Sequence, residues 1–179
     1  AVIANIAIMK SANIFMNLDV KTPGQRLSNI VDLIEPVLII TDVKNVELIN
    51  EVSGKIPILI IDDVNWEENI NKETVKQQWS SVIDTDPFCI INTSGSTGTP
   101  KGVVLNHLSF LDFIYRSHEA FNIGENEIMG SLSPLVFDIY VLELCMLMYR
   151  SATIVLLPAH LSAFPVKILK IMQQQHVTF

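Results

Sequence analysis

The chemistry of this chain is concentrated in ten residues, Thr93-Ser94-Gly95-Ser96-Thr97-Gly98-Thr99-Pro100-Lys101-Gly102. Small residues let a backbone approach a bulky anion closely. Glycine also permits turns in which successive N–H groups point the same way. The hydroxyls of Ser94, Ser96 and Thr97 can donate hydrogen bonds, and Lys101 adds a mobile positive charge. Together these are the requirements for holding a polyphosphate. An apolar segment of strand length, Phe88 to Ile91, leads into the loop, and Val103 to Leu105 leads out of it.

The loop is not of the Walker A kind, which needs Gly-Lys-Ser/Thr opening a helix. Here Pro100 precedes Lys101, Gly102 follows it, and the next segment reads as a strand. A plain Ser/Gly turn between two strands is common, but ten residues in fixed order between apolar strands ask for more than a turn. The string resembles the phosphate-binding signature of the adenylate-forming superfamily, T-S-G-S-T-G-x-P-K-G, and matches each of its fixed positions. That superfamily holds the adenylation domains of nonribosomal peptide synthetases, D-alanine–carrier-protein ligases, acyl-CoA synthetases and luciferases. The resemblance implies that Thr93, Ser94, Gly95, Ser96, Thr97, Gly98 and Lys101 bind the phosphates of ATP.

Other segments carry the same resemblance. Residues 7–31 are similar to L-K-A-G-x-A-Y-V-P-L-D followed by P-x-x-R-L, with Lys10, Leu18, Asp19, Pro23, Arg26 and Leu27 in place. Ser11, Ala12 and Asn17 stand where Ala, Gly and Pro are frequent. Residues 137–144, Phe-Asp-Ile-Tyr-Val-Leu-Glu-Leu, resemble the F-D-x-S-V-x-E-I segment of the amino-acid-activating members, with Tyr140 in place of Ser. In those relatives the aspartate binds the α-ammonium group of the substrate, a role that falls on Asp138. A carboxylate at the start of an apolar helix stays ionised near the positive helix end and can pair with an ammonium. The plainer alternative is that Asp138 caps the helix. The tail from Ser151 resembles G-A-T-L-V followed by a helix and a V-T strand, with Ser151 at the glycine position.

Positioning these groups falls to alternating helices and strands. Helices are expected over 2–11 (apolar at Val2, Ile6 and Met9), from Pro23 with Leu27, Ile30, Val31 and Ile34 on one face, and over 45–52, 107–121, 137–149 and 165–174. Strands are expected at 14–18, 37–41, 58–62, 88–91, 103–105, 128–132 and 153–157, with a further one starting at Val177. Continuous apolar strands between amphipathic helices indicate an α/β class with a mostly parallel sheet and helices on both faces. The polar stretch 65–86 reads as a surface helix and loop, anchored to the core by Trp66 and Trp79.

Composition narrows the function classes. The chain is 49% apolar and only 17% charged, against a usual ~25%; its mean hydropathy is +0.38. No apolar run reaches the ~20 residues of a membrane span: Val136 to Pro158 is broken by Asp138, Glu143 and Arg150. A net charge of −7 without any Lys/Arg cluster argues against nucleic acid. Cys89 and Cys145 lie in apolar stretches, as buried reduced thiols do, and suit a cytoplasmic protein. His107, His118, His160 and His176 are dispersed, so no metal site is expected. His107 follows the signature and opens a helix; a positioning role near the nucleotide is weighed against capping or packing, which is preferred, and at Asp62-Asp63 an exposed turn is preferred to a metal site.

The resemblance further implies the reaction. A carboxylate attacks the α-phosphate of ATP, pyrophosphate leaves, and the acyl-adenylate passes to a thiol, often a carrier protein's phosphopantetheine arm. Mg²⁺ and cationic groups would stabilise the developing charge. The later N-x-Y-G-P-T-E-like stretch, the T-G-D aspartate and the small C-terminal domain with its catalytic lysine are not in residues 1–179. The chain, which opens in a helix and closes in a strand, is therefore expected to be one incomplete domain, a piece of the large N-terminal domain, with no catalytic residue of its own. Three functions stay open: an amino-acid adenylating enzyme, an acyl- or aryl-CoA synthetase or fatty-acyl-AMP ligase, and a non-catalytic nucleotide-binding domain.

Overall fold

The computed structural model describes residues 1–68, 70–94, 100–124 and 126–179, and all of their side chains except those of Ser94 and Pro100. The chain is α/β throughout, and the described residues divide into two compact units. One comprises residues 1–82 and 88–104, the other 83–87 and 105–179.

In the first unit, α1 (Val2–Lys10) leads to the two-residue strand β1 (Phe15–Met16). Helix α2 (Gly24–Ile34) follows a turn built by Asp19, whose carboxylate accepts from the Lys21 N–H at 2.9 Å. It buries Leu27, Ile30 and Val31, the expected apolar face, and ends where Glu35 takes a left-handed φ of 47° just before Pro36. Next come β2 (Ile39–Thr41), α3 (Val46–Ser53) and β3 (Ile58–Ile60). Leu27, Val31, Ile39, Ile49 and Val52 form the core between them, with Leu18, Leu48, Ile56 and Ile58 packed around it. Strands β2 and β3 pair in parallel, Ile39 opposite Ile58. The expected strand 58–62 stops early, because Ile61–Asp63 turn into a 3-10 helix.

Strand β1 pairs in parallel with β4 (Pro87–Ser94), Phe15 opposite Cys89, and β4 is followed in the same sheet by β5 (Pro100–Asn106). Five residues join β4 to β5, and a connection that short permits only antiparallel pairing. This sheet is therefore mixed, whereas the β2–β3 ladder is parallel.

In the second unit, β6 (Ile128–Ser131) pairs in parallel with β7 (Thr153–Leu156). Between them runs α6 (Asp138–Arg150), packed on both strands. The expected strand start at Val177 is present as backbone pairing: the Thr178 N–H donates to Ile128 O at 2.8 Å, and the Gly130 N–H to Phe179 O at 2.9 Å. Helix α5 (His107–Phe121) precedes β6, and α7 (Pro165–Gln174) follows β7 with proline in its first turn.

Two expectations need correction. Helix α4 (Lys72–Ser80) is the surface helix of the polar stretch, but it buries no residue. Trp66 is 65% and Trp79 48% exposed, so neither anchors the stretch in a core. With only Val75 and Trp79 apolar, α4 has too narrow a stripe to be drawn inward. In α1, the buried positions are Asn5 and Met9, while Val2 and Ile6 are half-buried.

Candidate functional site

The β4–β5 hairpin presents the glycine-rich loop. Buried Phe88 and Cys89 root β4, and Phe15 meets Phe88 edge-on at 6.2 Å between ring centres. Residues 95–99 lie outside the described residues, as does the side chain of Ser94, so the expected phosphate contacts of Ser94, Gly95, Ser96, Thr97 and Gly98 are not placed. The two flanking positions are. The Thr93 hydroxyl donates to the Lys101 carbonyl oxygen at 3.3 Å, so it closes the hairpin mouth. Lys101 is exposed beside it, and no salt bridge ties its ammonium among the described residues.

Gly102 has a packing reason for being glycine. A Cβ there would lie 2.9 Å from Ile90 Cγ2 and 3.3 Å from Ile34 Cδ1. Any side chain would push β5 away from β4 and α2. Val103 and Val104, which follow on β5, are both exposed.

Helix α5 starts where the hairpin ends. Its cap is Asn106, whose side-chain oxygen accepts from the Ser109 N–H at 2.8 Å. His107 is thus not the cap. It is the first helical residue, and its backbone N–H donates to Asp86 O at 3.1 Å. Burial holds the His107 imidazole below its ordinary pKa, partly opposed by the Asp86 carboxylate. His118, further along α5, meets the Arg150 guanidinium of α6.

Asp138 is the first residue of α6 and is exposed. The chain reaches it through a turn in which the Phe137 N–H donates to Pro134 O at 3.0 Å. Its carboxylate accepts from the Ile139 N–H at 2.9 Å, one of the first-turn donors that α-helices leave unpaired. The helix-start alternative therefore describes part of what Asp138 does, and its exposed carboxylate remains open to a ligand.

Behind Asp138 the helix is buried through Tyr140, Val141, Glu143, Leu144, Cys145 and Met146. Tyr140, in place of the usual serine, is fully buried. Glu143 is the feature that sequence reasoning did not single out, although it stands in the quoted F-D segment. Its carboxylate accepts from the Ser131 hydroxyl at 2.5 Å, and both side chains are buried. Burial raises the Glu143 pKa, and the Ser131 hydrogen bond partly offsets the rise.

Neither cysteine is in a disulfide, and both are buried, as expected. Burial pushes the Cys89 thiol up to about 12, which keeps it protonated and unreactive. Among the described residues no three His, Cys, Asp or Glu side chains gather in a way that could hold a metal ion. Asp62 is exposed, but its carboxylate is used: it accepts from the Val43 N–H at 2.9 Å and joins the ends of β2 and β3. No described helix is long and apolar enough to cross a membrane.

Comparison with known proteins fits this geometry. The family model "AMP-binding enzyme" matches residues 1–179, and the chain belongs to that family. Its relatives are peptide synthetases. It is 32% identical to a dimodular nonribosomal peptide synthase of Bacillus subtilis (strain 168), over 84% of this chain and 6% of that protein. It is 30% identical to the malpinin synthetase of Mortierella alpina, over 88% of this chain and 2% of that protein. Among solved structures it superposes on a four-domain nonribosomal peptide synthetase bound to AMP and glycine, with TM-score 0.79 and 24% identity. That match covers 99% of this chain and 12% of the other. A fatty acyl-adenylate ligase from L. pneumophila, solved with acyl adenylate and pyrophosphate, gives TM-score 0.78 at 20% identity, over 98% of this chain and 31% of that one. The chain thus spans a small part of the relatives it matches, and its fold is that of the large N-terminal domain of adenylate-forming enzymes.

Proposed function

We propose that this chain is part of an enzyme that activates an amino-acid carboxylate as an aminoacyl-adenylate, using ATP, and passes it to a carrier-protein thiol. Residues 1–179 would form one part of its large domain. The observation that carries the reading is the exposed Asp138 carboxylate at the positive end of α6, in the F-D setting of the amino-acid-activating members. A fatty-acyl ligase has no ammonium group to bind and no need of an anion there. Fold alone does not separate the two, since both kinds of structure superpose about equally well on this chain.

The residues present suit a nucleoside triphosphate. Lys101 is exposed and carries an ammonium with no salt bridge among the described residues, and its backbone is held opposite Thr93 at the hairpin mouth. Lys101 and the backbone of that loop, with Ser94, Ser96 and Thr97, would hold the phosphates, while Thr93 keeps the two strands together. Mg²⁺ would arrive with the triphosphate and neutralise part of its charge, since the described residues offer no carboxylate cluster for it. Asp138 would fix the amino group and so orient the carboxylate. An ATP-dependent reaction and two reduced, buried thiols suit the cytoplasm.

The test is ATP–pyrophosphate exchange by the full-length protein that carries this chain, with the twenty standard amino acids, D-alanine, and a panel of fatty and aryl acids. Exchange dependent on an amino acid supports the reading. Exchange with fatty or aryl acids alone replaces it with an acyl ligase. ATP binding without exchange on any acid leaves a non-catalytic nucleotide-binding domain.

A further inference from the structure

Asp138 and Glu143 stand five residues apart on α6, one exposed at its first turn and one buried in its middle. The Ser131 hydroxyl, at the last position of β6, donates to Glu143 Oε2 at 2.5 Å. Along α6 the sequence neighbours of Glu143, namely Tyr140, Leu144, Cys145 and Met146, are fully buried, and Met129 is buried on β6. Apolar packing alone fixes a helix weakly along its own axis, because one row of side chains resembles the next. A buried polar pair has one low-energy register, and sliding the helix by a residue would leave a carboxyl and a hydroxyl unsatisfied in an apolar interior.

We propose that the Ser131–Glu143 hydrogen bond is the pin that sets the axial position of α6 on β6, and that Glu143 is thereby a positioning residue for the carboxylate of Asp138. The inference rests on the reading of Asp138 as the anchor for the substrate's amino group. The chain passes from Ser131 through the Pro134 turn into Asp138 and returns to Ser131 through Glu143, so the pair closes a loop between positions 12 apart in sequence, with the anchor inside it. Loss of either partner frees the anchor end of the helix while leaving the hairpin and its lysine untouched.

The experiment is amino-acid-dependent ATP–pyrophosphate exchange by the full-length protein, with the amino acid that gives the highest exchange in the panel above. Variants are Ser131→Ala, Glu143→Leu, Glu143→Gln and Asp138→Asn. Ser131→Ala and Glu143→Leu should raise the amino-acid KM about tenfold with the ATP KM unchanged, as expected for the loss of one buried polar contact. Glu143→Gln keeps an oxygen acceptor for the Ser131 hydroxyl and should stay within about threefold of the parent. A purely structural role would lower the amount of active protein and leave both KM values alone. An amino-acid KM unchanged in Ser131→Ala, the variant least able to unfold the protein, overturns the inference if Asp138→Asn raises it. An amino-acid KM unchanged in Asp138→Asn overturns the reading of Asp138 itself, and the positioning role with it.

Discussion

The β4–β5 hairpin and the β6–α6 segment hold their chemical groups in opposite ways. In the hairpin the described loop side chains, Thr93 and Lys101, are exposed, and apolar contact sets the geometry: Phe88 and Cys89 are buried in β4, and Gly102 lets β5 lie against Ile90 and Ile34. In β6–α6 the Asp138 carboxylate is exposed, and a buried polar pair joins the same helix to β6. A loop that wraps a large, highly charged anion can gather many weak contacts, so its base has only to be tightly packed. An anchor that meets a single ammonium group has one contact to place, which favours a directional hydrogen bond in the helix that carries it.

The largest effect expected from this contrast comes from overfilling the hairpin base. Gly102→Val should destabilise the chain by about 2–3 kcal/mol in chemical denaturation, because its Cβ alone would lie closer to Ile90 than packed carbons come. A variant as stable as the parent would show that β5 can shift freely and that the hairpin is not held by close packing.

Smaller gains are expected where the chain keeps a side chain at a left-handed position. Ala12 has φ 56° and Ser151 φ 53°, and these are two of the places where the family pattern favours glycine. Ala12→Gly after α1 and Ser151→Gly after α6 should each stabilise by about 1 kcal/mol, by removing the Cβ–carbonyl crowding of that conformation. Thermal melts of the two variants and their double would check both size and additivity. Ser151→Gly also sharpens the comparison: it firms the far end of α6 and should leave the amino-acid KM alone.

The buried pair has a pH signature of modest size. The folded-state pKa of Glu143 is raised above its unfolded value, so folding favours the protonated carboxyl. Its contribution to stability is fully present below the ordinary glutamate range and is lost as pH rises through the raised folded pKa. Glu143→Gln removes that titration, and the melting temperature of the variant should fall less between pH 4 and 8 than that of the parent. Identical slopes would mean that Glu143 is not desolvated in the folded protein.

Much of this was legible in the sequence. The apolar approach to the loop, Phe88 to Ile91, and the glycines after it located the hairpin. The helix read over 107–121 is α5 to the residue, and Pro165 marked the start of α7. Strand lengths were less so. β1 is two residues long because pairing with β4, not local propensity, decides how much of 14–18 becomes strand. The tryptophans misled because large aromatic residues are usually drawn inward, and α4 offers no core to enter. Glu143 was visible as a residue but not as a partner: it meets Ser131 only once α6 has folded back over β6, and no local pattern carries that information. The cost at Ala12 and Ser151 was hidden for a related reason, since only the backbone angle shows that the missing glycines would have stood in left-handed conformations.

The central claim, that the hairpin serves ATP and the start of α6 serves the amino acid, is tested most directly by one exchange assay on two variants of the full-length protein. Lys101→Ala should raise the ATP KM about tenfold or more and leave the amino-acid KM near that of the parent, while Asp138→Asn should do the reverse, each losing one charge-assisted contact. The same KM shifting in both variants, or neither KM moving in either, would contradict the account.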